Sequence, residues 1–544
     1  MTLRHSLPAD EILPIAPPAF YTRLYTDFVC GKAEGHGDAH VLFMETGGWG
    51  PLARRKLSER KATAGLWSEI EGLNRRLGAA GGAVENVTSL AGGETVAVVG
   101  GQQPGLLGGP LLVLYKAATC VALAERFQEV TGIRCAPVFV VSSDDSDLEE
   151  IKRCTLYDGS LRRLALGFPE EAYVAGQVVG SLSAEAEKEL ARSLQASVGG
   201  ARGGDFVEGM LRAAAEVAAD HGEFVAATLC GLFSDRGLVV VDGRSAEMRR
   251  AGAPAFKSYL KMRTELRDAV RSAGEEMTGR GHHAQISGQG LDWWLFMNDG
   301  NVRKKLGEES VMGVERAIDE SPEKLSPNVA LRPIWRDSVL PAVFCVCGPS
   351  EVAYSLQLRQ AYKMLGVTPP GLFPRLSVTL IPGEGEDVAG GWMEAGLSSL
   401  LNDFDGAVRS HYRSLAPPGA VSALEKAKAA VAGGMKELAG SLAGVSAELG
   451  KAAESVLRAS GKGLDRLEND IVDGVKRDAE ARNPRLKGLG DFILPDGKLQ
   501  ERTASMLVPF LEEGGTFMET LTSMARSHVH GCESGKVRHY CYRI

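Results

Sequence analysis

The chain has 544 residues, 66 of them glycine, and a net charge of −8. At ~100–200 residues per domain it is too long for one simple unit. Its 44% hydrophobic and 24% charged residues exclude a wholly disordered chain. The balance of 61 Lys and Arg against 69 Asp and Glu argues against a broad nucleic-acid-binding surface.

No apolar run reaches the ~20 residues of a membrane-spanning helix, and the first residues lack the apolar stretch of a secretory signal. The nine cysteines are scattered without a CxxC pair. Reduced thiols in a cytoplasmic protein, with no nucleic-acid or membrane partner, are therefore expected.

Residues 1–92 read as helix and connection, with Arg54 to Leu77 at helical spacing before Ala79-Ala-Gly-Gly-Ala83 interrupts. Segment 93–154 carries the first half of an α/β core. Thr95-Val-Ala-Val-Val-Gly100 predicts a strand buried on both faces. A glycine-rich loop, Gly100 to Pro110, leads into a helix over 111–131, and Ala136 to Ser143 predicts the next strand. Strand, loop, helix and strand make a βαβ unit, with the loop at the carboxyl end of the first strand.

Segment 155–230 reads as an inserted, mostly helical piece. Segment 231–390 carries the second half of the core, with strands expected at 237–243, around Val311–Val314, at 340–347 and over 373–381, and a helix over 352–365. The expected fold is an α/β, doubly wound parallel sheet with insertions. Residues 391–485 read as a helical arm. Leu438, Leu442, Val445, Leu449, Ala452 and Val456 alternate spacings of four and three, a heptad seam. The seam slips at Ser460-Gly-Lys-Gly463 and resumes at Leu464, which fits two antiparallel helices joined by a glycine turn. So long a seam predicts self-association through a coiled coil. Segment 486–544 returns to the core.

Several constellations could carry chemistry. Gln102, Gln103 and Gly105 lie in the loop after the first strand, where amides and backbone N–H groups can meet a polar ligand. The loop has neither GxGxxG nor a Walker pattern. Asp144, Asp145 and Asp147 follow the second strand, where open α/β sheets place ligand groups. His283, of Gly281-His-His-Ala-Gln285, is an acid–base candidate, and no third clustered ligand makes it a metal site. Asn328, Arg332 and Asp337 form a polar loop in which an arginine can fork onto a carboxylate or phosphate. Glu351 and Tyr354 share the first turns of the helix after the 340–347 strand.

Taken in order, these blocks resemble the bacillithiol biosynthesis cysteine-adding enzymes, the BshC family. The run Val98-Val-Gly-Gly-Gln-Gln-Pro-Gly-Leu-Leu-Gly-Gly-Pro-Leu-Leu-Val-Leu-Tyr-Lys-Ala117 is similar to its leading signature. Pro137-Val-Phe139 with Asp144-Asp-Ser-Asp147, Gly281–Gln285, Ser326–Pro333 with Asp337, Gly348–Tyr354, Pro374–Ile381 and Leu499–Arg502 match its later blocks. The matching blocks run from 95 to 502. This chain has Ser146 where the family pattern has a histidine, Asp144 where it has glutamate, and Cys347 where it has glycine.

The resemblance implies a Rossmann-like core and a coiled-coil arm that makes a homodimer. It implies a ligase adding cysteine to the amine of glucosaminyl-malate, with ATP or another nucleotide as the expected cofactor; the carboxylates after the second strand could in addition hold a hydrated Mg²⁺. Under that reading Asp145, Asp147 and His283 are the catalytic candidates. Gln102, Gln103, Gly105, Asn328, Arg332, Asp337, Glu351 and Tyr354 bind substrate. Two other readings of the same loop and carboxylates stay open: a nucleotide-sugar transferase of doubly wound type, and a non-catalytic dimeric binding protein.

Overall fold

The computed structural model describes residues 13–14, 20–32, 41–60, 64–168, 173–198, 201–307, 310–382 and 403–544. These divide into two compact units. The first holds the residues up to 159, 163–381 and 492–544; the second holds 160–162 and 382–491. The expected arm boundary at 390/391 lies outside the described residues.

The first unit is built on a five-stranded parallel sheet. Its strands are β1 (Val96–Gln102), β2 (Cys135–Val141), β3 (Val239–Asp242), β4 (Ala342–Cys347) and β5 (Gly371–Pro374). The spatial order is β5-β4-β1-β2-β3, and every pairing is parallel. The chain therefore winds outward from β1 in one direction, returns, and winds in the other. The two directions part between β1 and β4, the switch point where doubly wound sheets open a crevice at their carboxyl edge. The strands are Val-rich and buried on both faces, as a sheet covered by helices on each side requires.

Helix α1 (Leu111–Thr131) crosses from β1 to β2 and is buried along most of its length. Gly132 ends it at φ +69°, a left-handed C-cap that only glycine adopts freely. Helix α2 (Arg332–Val339) precedes β4, and helix α3 (Pro349–Gln357) follows it.

Several expectations need correction. Val311–Val314 is not a strand but the start of a helix, Val311–Glu320, whose buried residues Val314, Ala317 and Ile318 repeat at helical spacing. The 373–381 stretch is two strands. β5 ends at Pro374, and Ser377–Ile381 joins a second sheet beside the C-terminal strand Arg538–Arg543. The 352–365 helix begins earlier, at Pro349, and breaks at Leu358. The 155–230 insertion opens with an antiparallel hairpin, Arg153–Tyr157 with Arg163–Gly167, before its helices Ala184–Val198, Gly204–Val217 and His221–Phe233. The strand Leu295–Asp299, between Val302–Lys305 and Leu325–Pro327, makes a further small sheet that the sequence reading missed.

The second unit is dominated by α4 (Pro418–Ala443) and α5 (Ala447–Arg482). Their turn is at Gly444-Val445-Ser446, with the Ser446 hydroxyl capping α5. The expected turn at Ser460–Gly463 is absent, because α5 runs through it unbroken. Arg413 and Lys428 tie the unit together through Glu468.

Candidate active site

A cleft of about 830 Å³ opens at the carboxyl edge of the sheet, at the switch point between β1 and β4. From the end of β1 and the loop behind it the cleft receives Gln102 and Gln103, and from the loop after β2 Asp145, Asp147 and Glu150. From α2 it receives Arg332 and Arg336, and from α3 Glu351 and Tyr354. Arg303, Arg375, Arg502, Trp293 and Phe296 complete its walls.

The floor is set by Lys116 of α1, whose side chain is 1% exposed. Its ammonium donates to the Gly101 carbonyl (2.7 Å), the Gln102 side-chain oxygen (3.1 Å) and Glu351 Oε2 (2.8 Å). All its donors are used, so it joins the ends of β1 and α3 across the switch point. Glu351 also accepts the Gly348 N–H at 2.7 Å, which caps α3. Burial, and then the Glu351 carboxylate, push the Tyr354 phenol well above its ordinary value.

A buried charge network stands beside this floor. Asp144 is fully buried; it pairs with Arg332, lies 3.4 Å from Arg249, and accepts the Ser326 hydroxyl at 3.1 Å. Burial pushes its carboxyl up, but Arg332, Arg249 and Arg303 outweigh that and hold it at about 2. Asp145 accepts Arg303 Nη1 at 2.9 Å and the Gln103 amide at 2.8 Å. Burial opposes its ionisation, yet Arg332 and Arg303 keep it below the usual carboxylate range. Arg303 lies over the Phe296 ring at 3.9 Å and donates to the Pro327 carbonyl at 2.7 Å. Glu150 moves the other way: burial and the nearby Asp147 and Asp145 raise it.

The loop from Gln103 to Gly109 is held from beneath. His221 Nε2 meets the Pro104 carbonyl at 2.8 Å, and Glu187 Oε1 accepts the Leu107 N–H at 3.0 Å. His221 and Glu187 are fully buried and paired at 3.1 Å. They support Leu107 at φ +53°, a region that costs a non-glycine residue about 1 kcal/mol or more.

The model of the BshC N-terminal Rossmann-like domain of bacillithiol biosynthesis matches residues 50–376. That of the BshC C-terminal coiled-coil domain matches residues 394–531. The chain belongs to the BshC family. A relative in Koribacter versatilis is 29% identical across 95% of this chain and 97% of its own length. One in Salinibacter ruber is 28% identical across 78% and 79% of the two chains, and one in Geobacillus kaustophilus 26% identical across 85% and 88%. Each of these relatives bears the name "Putative cysteine ligase BshC".

Within this BshC fold the candidate residues separate. Gln102, Gln103, Asp145, Asp147, Asn328, Arg332, Glu351 and Tyr354 all line the cleft. Asn328 does so with its amide committed: it donates to the Gly290 and Trp293 carbonyls and accepts the Ala330 and Leu331 N–H groups. It fixes the loop ahead of α2.

Gly105, Asp337 and His283 do not line the cleft. A Cβ on Gly105 would stand 2.6 Å from the Gly109 Cα, so this glycine allows two backbones to meet and is itself buried. Asp337 sits one position past Arg336 on α2, about 100° further round the helix. It faces a separate cavity of about 140 Å³, where it accepts Arg336 Nε at 2.7 Å and the Tyr362 hydroxyl at 2.6 Å. His283 is exposed, and Gln285 reaches the cleft instead.

Sequence reasoning did not single out Lys116, Glu150, Arg303, Arg375 or Arg502. Lys116, Arg375 and Arg502 sat inside the quoted blocks, but nothing in a single sequence marks a helix-interior lysine as facing a strand end. Among the described residues no cluster of three or more His, Cys, Asp or Glu side chains is arranged to hold a metal. No helix among them is long and apolar enough to cross a membrane.

Proposed function

We propose that the protein is a ligase that forms an amide bond between the carboxyl of cysteine and the amine of glucosaminyl-malate, in bacillithiol biosynthesis. Membership of the BshC family across both of its domains carries this reading, and relatives over most of the chain bear the cysteine-ligase name. A carboxylate does not react with an amine until its oxygen becomes a leaving group. A nucleotide supplies that activation and leaves with the oxygen. The cationic cleft suits its phosphates, and the Trp293 and Phe296 rings give an apolar wall for a base or sugar face. Magnesium would arrive with the phosphates, which provide most of its ligands.

The other demands fall on the chain. The attacking amine must be neutral. Glu150, raised towards neutrality, and Asp147, which lines the cleft with it, are the bases proposed to take the ammonium proton. Asp145 is held as a carboxylate by Arg303 and Arg332, which suits it to orient an amine or hydroxyl rather than to cycle a proton. Arg332 and Arg303 offer the malate carboxylates their remaining edges. His283 is not needed in this scheme.

The arm is proposed to make the dimer. Along α5, Leu449, Val456 and Leu467 stand 45%, 53% and 49% exposed on one stripe, with Ala452, Ala459 and Gly463 between them. A second copy would cover that stripe.

The test is direct. Protein, ATP, cysteine and glucosaminyl-malate are combined, and mass spectrometry reads the cysteinyl product with nucleotide turnover. Product that depends on all three small molecules is expected. No product, together with unchanged nucleotide, would overturn the reading.

A further inference from the structure

One thread of buried polar groups ends in the cleft and has no place in the scheme above. Arg375 follows β5 directly, and its backbone N–H donates to the Cys347 carbonyl at the end of β4, at 3.0 Å. Its guanidinium is 5% exposed and lines the cleft. Nη2 pairs with Glu501, Nη1 donates to the Leu376 carbonyl at 3.0 Å, and Nε faces Gly348 at the start of α3. A Cβ on Gly348 would lie 3.3 Å from that Nε, so the glycine leaves this edge of the guanidinium close to the strand end.

Glu501 is fixed in turn. Its other oxygen accepts the Ser377 hydroxyl at 2.7 Å. Having donated its one proton, Ser377 must accept from its other neighbours: His539 Nδ1 at 2.9 Å and the Tyr21 hydroxyl at 3.0 Å. His539 is then the Nδ1–H tautomer, and its free Nε2 accepts the Thr379 hydroxyl at 2.8 Å. The hydroxyl and imidazole donors of the thread all have acceptors, and the thread is buried throughout. With Glu501 so fixed, its pairing with Nη2 and the Leu376 carbonyl at Nη1 lock the guanidinium before any ligand arrives, and its remaining N–H groups stay available to one.

The next residue after Glu501 supplies a second cation. Arg502 lines the same cleft, is exposed, and its side chain has no hydrogen-bond or ion-pair partner among the described residues. One guanidinium is rigid and one is free, and both face a cleft with Lys116 at its floor.

We propose that Arg375 and Arg502 form an anion subsite at the carboxyl edge of β5 and β4, taking the oxygens of a phosphate or carboxylate, with Glu501 as the positioning residue that presets Arg375. This rests on the ligase reading and deepens it, because it assigns a second anion to the cleft, on cations other than Arg303 and Arg332. The ligand chemistry is shared by the phosphates of a nucleotide and the carboxylates of malate, and the experiment separates them.

Binding of inorganic pyrophosphate and of malate is measured by calorimetry on the full chain, without turnover. For the phosphate source, Arg375→Lys is expected to weaken pyrophosphate at least tenfold and malate less than twofold, since an ammonium cannot reproduce the fork. The reverse pattern assigns the subsite to a carboxylate. Arg502→Gln, at an exposed position, is expected to weaken the same probe about threefold to tenfold without altering the fold.

For the positioning role, Arg375→Ala is titrated with guanidinium ion. Recovery of probe binding is expected with Glu501 present and not in the Arg375→Ala, Glu501→Gln double variant. Unchanged affinity for both probes in Arg375→Lys and Arg502→Gln, or no binding by the wild-type chain, overturns the subsite. Equal recovery with and without Glu501 overturns the positioning role. Intact pyrophosphate binding in a protein that makes no cysteinyl product would instead sink the ligase reading alone.

Discussion

In the sheet-bearing unit, Val96, Val98 and Val99 of β1 and Phe344 of β4 are fully buried. In the helical arm, Leu438, Leu449 and Val456 are 46%, 45% and 53% exposed. Both sets stand out as apolar repeats in the sequence, and they meet opposite fates. A parallel sheet buries both faces against helices of the same chain. A two-helix arm has too few neighbours, so its outward stripe must be covered by another molecule or stay wet. The ionisable groups divide in the same way. The core buries Asp144, Glu187, Glu501, His528 and His539, whereas the ion pairs of Lys428 with Asp465 and of Arg413 with Glu425 are surface features.

The largest effect expected of this contrast is acid sensitivity confined to the core. Burial pushes His528 and His539 down to about 4 from the ordinary 6.5. Their folded values are depressed, so the stability they hold is present above pH 6.5 and is lost as pH falls towards 4. Each contributes on the order of 3 kcal/mol. Asp144, held at about 2 against an ordinary 3.8, adds roughly 2 kcal/mol that is lost between about pH 4 and 2. Urea unfolding followed by tryptophan fluorescence should show this loss in the core. The helical signal of the arm should change little, and equal loss of both would break the contrast.

Asp144→Asn comes next. It leaves Arg332 and Arg249 without their buried counter-charge and should cost the core about 3–5 kcal/mol. A loss below 1 kcal/mol in the same assay would mean that water reaches the network.

The paired change Leu449→Asp and Val456→Asp sharpens the arm's side of the comparison. It should halve the mass read by light scattering while shifting core stability by no more than ~0.5 kcal/mol. A dimer that persists at the same concentration would show that the stripe is not the contact. The smallest effect is expected of Lys428→Ala, which removes an exposed pair to Asp465 and a half-buried one to Glu468 and should cost at most ~1 kcal/mol in the arm's thermal transition.

Much of the core and half of the site were legible because their signals are local. A continuous apolar run can become a buried strand only where helices cover both faces. The residues just past its end then fall at the carboxyl edge, as Gln102, Asp145 and Glu351 do. The failures share a cause as well. Val311–Val314 carries too few apolar residues to tell a period of two from one of 3.6, and tertiary packing chose the helix. Asp337 sits beside cleft residues in sequence, but one step round α2 turns it into another cavity. The turn placed at Ser460–Gly463 rested on glycine's cost in a helix, about 1 kcal/mol per residue, which the length of α5 overrides.

By itself the sequence determined the doubly wound class, the loop after β1, the carboxylates after β2, the helical arm and the resemblance to the BshC family. Strand and helix patterns are set by neighbours along the chain, and so are those blocks. Only the tertiary structure decided which charges meet. Lys116 reaches Glu351 across 235 positions, Asp144 reaches Arg332 across 188, and Arg375 reaches Glu501 across 126. Such pairs leave no periodic trace, because an ion pair needs only that two side chains arrive at one place, and the winding of the sheet brings them there.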